Sequence, residues 1–262
     1  MQDDGAGRDV TSARVPRRAC RALIIAQEQC VLAGAEEAAW LFASQGVHCK
    51  MLRKDGQIVR AGSAVLELVG ENRKILSTER VALNVLGRMS GVASACAEAV
   101  REAEKFGKTQ IALTRKTSPG FQPFDKKAAV LGGALPHRAN LAAMVLLKDN
   151  HLSFFPSLSA AIAAFPRPVR AEVEVETMAQ ALEAAKTCIG AIMLDNFSPS
   201  EAKKAIACIR HLNRRVKIEL SGGIILRNLR DYAGLGADMI SMGSLTKDAP
   251  QKDFSLNLIT KN

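Results

Sequence analysis

Apolar positions along this chain follow two rhythms. Over the first ninety-odd residues the pattern is mixed. Residues 22–26 form a short apolar run that predicts a strand, and 36–45 are amphipathic at helical spacing with Gly46 as a stop. Residues 48–53 and 63–69 read as strands across the turn Lys54-Asp55-Gly56. A long helical stretch covers 75–106, with a break and a domain seam expected at Ser90-Gly91. Beyond Phe106 short apolar strands recur at 110–113, 144–147, 171–175, 191–194, 216–220 and 239–242. Helical segments lie between the later ones, at 178–186, 200–209 and 226–235. Such alternation specifies parallel strands covered by helices. The strand–helix segment is roughly 155 residues long against about 250 for a full eightfold barrel, so an incomplete or open barrel fits better.

Composition narrows the class. The 262 residues allow one large domain or two modest ones, with 48% apolar and 24% charged residues, an ordinary soluble globular balance. No apolar run reaches the roughly 18 to 20 residues needed to span a bilayer. The polar start lacks the apolar stretch of a secretory signal, so a cytoplasmic location is expected. Six cysteines stand singly with no C-x-x-C, and the four histidines show no H-x-x-x-H, which argues for reduced thiols and against a structural metal. The formal charge of +10 points to acidic partners. Nine Phe, one Trp and one Tyr are too few for a base-stacking platform, and the cations are scattered, so nucleic acid is not expected as a partner.

The ends of the predicted barrel strands carry the chemistry. Thr114-Arg115-Lys116 follows the first strand and Lys148-Asp149-Asn150-His151 the second. Glu172, Glu174 and Glu176 alternate along the third, and Asp195-Asn196 ends the fourth. Ser221-Gly222-Gly223 follows the fifth and Gly243-Ser244 the sixth. Parallel barrels place active sites at this carboxyl end. Gly222-Gly223 ahead of a helix, with Gly243 on the next strand, suits a phosphate. Three carboxylates on one strand face are costly to bury without basic groups or a metal opposite. Lys148 fits either a Schiff-base nucleophile or a phosphate ligand. Arg115-Lys116 and His137-Arg138 add cationic pairs, and together these groups suggest a multiply charged anion. Asp195 has a bland alternative as a cap for the helix that follows, although Asn196 or Ser198 could serve instead.

The motifs in order make the chain recognisable. They are T-E-R-V-A-L-N-V-L (78–86), S-G-V-A-S (90–94), T-R-K-T-S-P-G (114–120), G-G-A-L-P-H-R (132–138) and L-L-K-D-N-H (146–151). They continue with E-V-E-V-E (172–176), M-L-D-N-F-S-P (193–199), S-G-G-I (221–224) and G-S-L-T (243–246). As a set, running from D-V-T-S (9–12) to Ala249-Pro250, they closely resemble the quinolinate phosphoribosyltransferase family. The resemblance implies a type II phosphoribosyltransferase architecture: an N-terminal α/β open sandwich at 1–92, then a seven-stranded open α/β barrel at 93–248. The tail 249–262 is expected to pack back on the sandwich. The implied reaction is decarboxylating phosphoribosyl transfer from phosphoribosyl pyrophosphate to quinolinate with magnesium, giving nicotinate mononucleotide for NAD synthesis.

The same resemblance distributes roles. Arg115, His137 and Arg138 match quinolinate-gripping positions, and Arg80 matches an arginine reaching into the site of the neighbouring subunit of a homodimer or larger assembly. Lys116, Lys148, Glu174 and Asp195 match catalytic positions around phosphoribosyl pyrophosphate, with Glu174 and Asp195 holding magnesium directly or through water. Ser221, Gly222, Gly223, Gly243 and Ser244 match the phosphate cradle. In this reading Lys148 is an electrostatic ligand, not a Schiff base. Gln122, Ala134 and Ala142-Ala143 depart from common residues of the family and bear on which acidic ring is accepted. The rivals are a molybdenum-transport-associated sister transferase and, more distantly, a Schiff-base barrel lyase.

Overall fold

The computed structural model describes residues 9–165 and 171–259, so the first eight residues and the last three of the tail lie outside the described residues. In chain order the elements begin with β1 (Ala19–Ala26), β2 (Cys30–Val31), α1 (Ala35–Ser44), β3 (His48–Met51), β4 (Ile58–Val59), β5 (Ala64–Glu71) and α2 (Asn72–Glu104). They continue with β6 (Gln110–Ala112), α3 (Gln122–Leu131), β7 (Val145–Leu147), α4 (Asp149–Leu152), α5 (Leu158–Ala163), β8 (Ala171–Val175) and α6 (Met178–Ala185). The remainder are β9 (Ala191–Asp195), α7 (Pro199–Leu212), β10 (Lys217–Ser221), α8 (Arg230–Ala233), β11 (Met239–Ser241), α9 (Ser244–Lys247) and β12 (Phe254–Ile259). The chain divides into two compact units. Unit 1 is Met1–Ala97, Lys127–Gly133 and Ala249–Asn262; unit 2 is Glu98–Lys126 and Ala134–Asp248.

Unit 1 is built on an antiparallel sheet of order β12-β1-β5-β3. Alternation puts Ala22, Ile24 and Ala26 of β1 on the buried face, where they meet Leu66 and Leu68 of β5 and Phe42 of α1. Ile75, Ala82, Leu83 and Leu86 of α2 complete this core at helical spacing. Gly34 enters α1 with φ 93, and the Asp55 carboxylate accepts from the Gly34 and Ala35 amides at 3.2 and 2.9 Å. Two of the free amides at that helix end are thereby satisfied from a distant loop.

The break expected at Ser90-Gly91 is absent, because α2 runs unbroken through both residues. Ser90 turns its hydroxyl to the backbone of Ala33, donating to the carbonyl at 3.1 Å and accepting from the amide at 3.0 Å. Gly91 and Gly87, one turn apart, leave room for a crossing chain. A Cβ at Gly91 would lie 2.2 Å from the Pro250 carbonyl oxygen, and one at Gly87 2.7 Å from that of Lys252. Strand β12, which the apolar pattern did not predict, then pairs antiparallel with β1 in the register Ala26↔Phe254 to Arg21↔Ile259.

Unit 2 carries a parallel six-stranded sheet of order β6-β11-β10-β9-β8-β7. The seventh strand of the expected barrel is reduced to Leu135, which bridges Ala112 in parallel through bonds to the Leu113 amide and Ile111 carbonyl of 2.9 and 2.8 Å. These strands are short apolar runs covered on both faces, and Val173, Val175, Ile192, Leu194, Ile218, Leu220 and Ile240 are all buried. The helix expected over 226–235 shrinks to α8, four residues starting at Arg230. Asn228 accounts for the difference: it accepts from the Ile225 amide and donates to the Gly223 carbonyl, fixing residues 223–228 as a loop.

Candidate active site

Because the sheet is parallel, all six strands end on one side, and the polar residues that follow them gather there. The backbone after β6 is pinned from two elements. Buried Lys126 donates to the Thr114 and His137 carbonyls at 2.7 and 3.2 Å, and Thr246 of α9 donates to the Lys116 carbonyl at 2.7 Å. The side chains of Arg115 and Lys116 are left exposed. Lys148 caps α4, its amide donating to His151 Nδ1 at 3.0 Å, while its ammonium sits 2.5 Å from Glu174 Oε2 of β8.

Asp195 closes β9, and its Oδ2 accepts from Asn196 at 2.6 Å. It does not cap the next helix. Ser198 does, in a reciprocal capping box with Glu201. Asn196 takes φ 58 and donates its amide to the Ser221 carbonyl at 2.9 Å. Its close approach explains Gly222: with φ 89, a Cβ there would meet Asn196 Oδ1 at 2.4 Å.

A cavity of about 320 Å³ lies among these ends. Arg115, Lys116, His137, Arg138 and Lys148 line it, together with Glu174, Asp195 and Ser221. Gly222, Gly223, Gly243 and Ser244 stand at the adjoining turns outside this lining, with Gly243 at the start of α9. Arg80 is exposed on α2 in unit 1, apart from the others in the chain division. Of the departures, Gln122 donates its amide to the Ala139 carbonyl, Ala134 is buried, and Ala142-Ala143 is exposed. None of them lines the cavity.

Of the groups beneath the cavity, sequence reasoning saw Glu172 as one of a stripe of three carboxylates and missed Glu219. Glu172 and Glu219 are fully buried on β8 and β10, and each places Oε2 3.2 Å from His137 Nε2. Burial pushes the Glu172 carboxyl up to about 7, against the His137 hydrogen bond, which acts to lower it. For His137, burial acts to lower the pKa, but the two carboxylates outweigh it and raise the value to about 9. Burial also lowers that of Arg138, helped by the charge of Arg115. A legible signal existed for Glu219: a lone carboxylate inside the apolar run of a central parallel strand.

A larger cavity of about 630 Å³ opens at the other end of the sheet, lined by Phe106, Thr109, Lys217 and Asp238 among others. It shares His137 and Glu219 with the first cavity as a common wall. Its remaining lining is mostly loop and strand-start residues, so it lacks the convergent strand-end groups of an active site.

An open parallel barrel with a cation-rich, carboxylate-bearing mouth defines a class of enzyme that handles small polyanions. The models of the quinolinate phosphoribosyl transferase N-terminal and C-terminal domains match residues 9–90 and 92–257. The chain is 38% identical to a probable nicotinate-nucleotide pyrophosphorylase [carboxylating] of Archaeoglobus fulgidus, over 96% of this chain and 98% of that one. It is 36% identical to the nicotinate-nucleotide pyrophosphorylase [carboxylating] of Rattus norvegicus, over 98% and 88%. The solved nicotinate-nucleotide pyrophosphorylase of Francisella tularensis superposes with a TM-score of 0.91 at 29% identity, covering 98% of this chain and 94% of that one. The chain belongs to the quinolinate phosphoribosyltransferase family, and its fold is the type II architecture of that family.

Proposed function

We propose that this chain transfers the phosphoribosyl group of phosphoribosyl pyrophosphate to quinolinate with loss of carbon dioxide, making nicotinate mononucleotide and pyrophosphate. It is thus a pentosyltransferase of de novo NAD synthesis. The observation that carries the reading is the meeting of Arg115, His137, Arg138 and Lys148 with Glu174 and Asp195 in one strand-end cavity. Quinolinate presents two carboxylates, and arginine forks bind carboxylates bidentately. Arg115, Arg138 and His137 grip them and orient the ring nitrogen. Lys116 and Lys148, with the backbone at Ser221, Gly222, Gly223, Gly243 and Ser244, hold the phosphates of the donor.

The ring nitrogen attacks the anomeric carbon, and the bond to pyrophosphate breaks with its electron pair leaving on pyrophosphate. Positive charge develops on the sugar, where Glu174 and Asp195 stabilise it. The resulting pyridinium draws the electron pair of the bond to the 2-carboxylate. Carbon dioxide departs, and the ring carbon takes up a proton. Two oxygen-only carboxylates on adjacent strands suit magnesium, which is held by one or two carboxylates plus substrate phosphates. Glu174 and Asp195 would hold it, directly or through water, and when bound it neutralises charge on the leaving pyrophosphate. Arg80 acts across a homodimer interface in this reading, so Arg80→Ala should assemble normally yet bind quinolinate poorly.

The test is carbon dioxide release from quinolinate labelled at its 2-carboxylate, with donor and magnesium each omitted in turn. Release that needs all three, with nicotinate mononucleotide formed, is expected. No release from folded protein would overturn the reading in favour of a sister transferase. Borohydride trapping of Lys148 with a carbonyl substrate would overturn it in favour of a lyase.

A further inference from the structure

Glu172 and Glu219 have no part in the chemistry above, yet burying two carboxylates is among the costliest things a barrel interior can do. Glu172 is 0% and Glu219 1% exposed. Glu172 Oε1 and both carboxylate oxygens of Glu219 have no hydrogen-bond partner among the described residues, so Glu219 faces the histidine as an ion-pair partner and Glu172 Oε2 as the hydrogen-bonded one. What the two side chains share is His137, whose Nε2 lies 3.2 Å from an Oε2 of each. An unprotonated Nε2 would set its lone pair against two oxygens, so the proton stays on Nε2. Among the described hydrogen bonds none uses Nδ1. It is the ring nitrogen left for a ligand of the cavity that His137 lines.

We propose that Glu172 and Glu219 are positioning residues that keep His137 doubly protonated, so that the imidazolium offers Nδ1–H to a carboxylate of the acidic ring. A neutral ring with its proton on Nε2 would present a lone pair at Nδ1 and repel that carboxylate. The pair therefore works at one remove, through the histidine. Other charges around His137 are Arg138 beside it, the Lys126 ammonium on its own carbonyl, and, in the lining of the same cavity, Arg115, Lys116 and Lys148 together with Glu174 and Asp195. The five cations oppose an added proton and outnumber Glu174 and Asp195, so the buried pair at Nε2 is what the imidazolium needs against them. The elevated His137 pKa agrees with this geometry. The inference rests on quinolinate being the substrate only for the identity of the carboxylate, not for the state of the ring.

The experiment has two arms. Nitrogen-15 histidine NMR on the ligand-free protein between pH 6 and 10 reads the His137 ring directly, with His137→Gln assigning its signals. Expected is an imidazolium at pH 7.5 in the parent chain and a neutral ring in Glu172→Gln and Glu219→Gln. Calorimetric titration with quinolinate should then show each Gln variant weakened about tenfold at pH 8 and recovering by pH 6. The KM for phosphoribosyl pyrophosphate should stay unchanged. A neutral His137 in the parent at pH 7.5, or variants whose affinity loss is independent of pH, would overturn the proposal. Stoichiometric zinc binding by the parent, abolished in Glu172→Gln, would overturn it too by making the three residues a metal cage. If quinolinate fails to bind the parent while the NMR arm behaves as expected, the substrate assignment falls and the role of the two glutamates stands.

Discussion

Unit 1 buries Ile24, Phe42, Leu66, Leu68, Ile75 and Leu86 completely, and the buried polar residues among its described positions are mostly neutral: Ser12, Asn72, Thr78 and Ser90. Unit 2 buries Ile192, Leu194 and Ile218 just as fully, but it also holds the buried Asp125, Lys126, Glu172 and Glu219. Both units thus use apolar strand faces and helix stripes; among the described residues unit 1 adds one nearly buried carboxylate, Asp55, held by the amides that start α1, whereas unit 2 adds several ions to the strands and helix around its sheet. An apolar core gains free energy in proportion to buried area and tolerates loss at one position according to the cavity left. A buried ion is kept only where its partners are fixed, so the barrel interior gives up stability for a charged wall beneath the mouth.

Four substitutions or conditions would sharpen the contrast. The largest effect on stability is expected from Phe42→Ala, about 3–5 kcal/mol by urea unfolding, as for aromatic truncations in closed cores. Lys148→Met should leave the unfolding midpoint nearly in place while kcat/KM falls by about 100- to 1000-fold, the usual loss for one transition-state electrostatic group. A shift of the midpoint as large as that of Phe42→Ala would make Lys148 a structural residue.

The pH dependence of stability comes next. The raised pKa of His137 means that its stabilising contribution is complete below about 6.5 and disappears as pH climbs through about 9. Glu172, a carboxyl raised to about 7, acts in the same direction: its protonated form is favoured by folding, and that contribution is lost as pH rises toward 7. The melting temperature should therefore fall between pH 7 and 9.5, and the fall should vanish in the Glu172→Gln/Glu219→Gln double variant. The smallest effect is expected from Ser198→Ala, about 1 kcal/mol for loss of the α7 cap with activity unchanged.

The barrel was legible because buried parallel strands read as unbroken apolar runs, each closed by the polar residue that meets solvent at its carboxyl end. That rule places Arg115, Lys148, Glu174, Asp195 and Ser221 at strand ends from the sequence alone. It could not find Leu135, since a strand of one residue has no period. Strand β12 was hidden for a different reason. Its exposed half alternates weakly, and its partner β1 lies far back in the chain, so no local pattern records the pairing. Ser90-Gly91 misled because the two residues that usually end helices here serve the outside of one, as a hydroxyl contact and a backbone crossing. Glu172 was visible as part of a carboxylate stripe, but its pairing with His137 depends on three strands closing around a shared interior.

The pairing of β12 with β1 also constrains the order of events on the ribosome. Gln27 and Ser255 bond across 228 positions, and everything from Ala134 to Asp248 in unit 2 is made between the two edges of that sheet. During synthesis the barrel strands emerge as a continuous local series and can assemble while β1 still lacks a neighbour on one side. For that interval the nascent chain carries an open sheet edge, a template for wrong pairing with other chains. Fusing a slowly folding partner after β12, or placing rare codons just before it, should lengthen the interval and shift expression toward the insoluble fraction without altering a single contact of the finished protein.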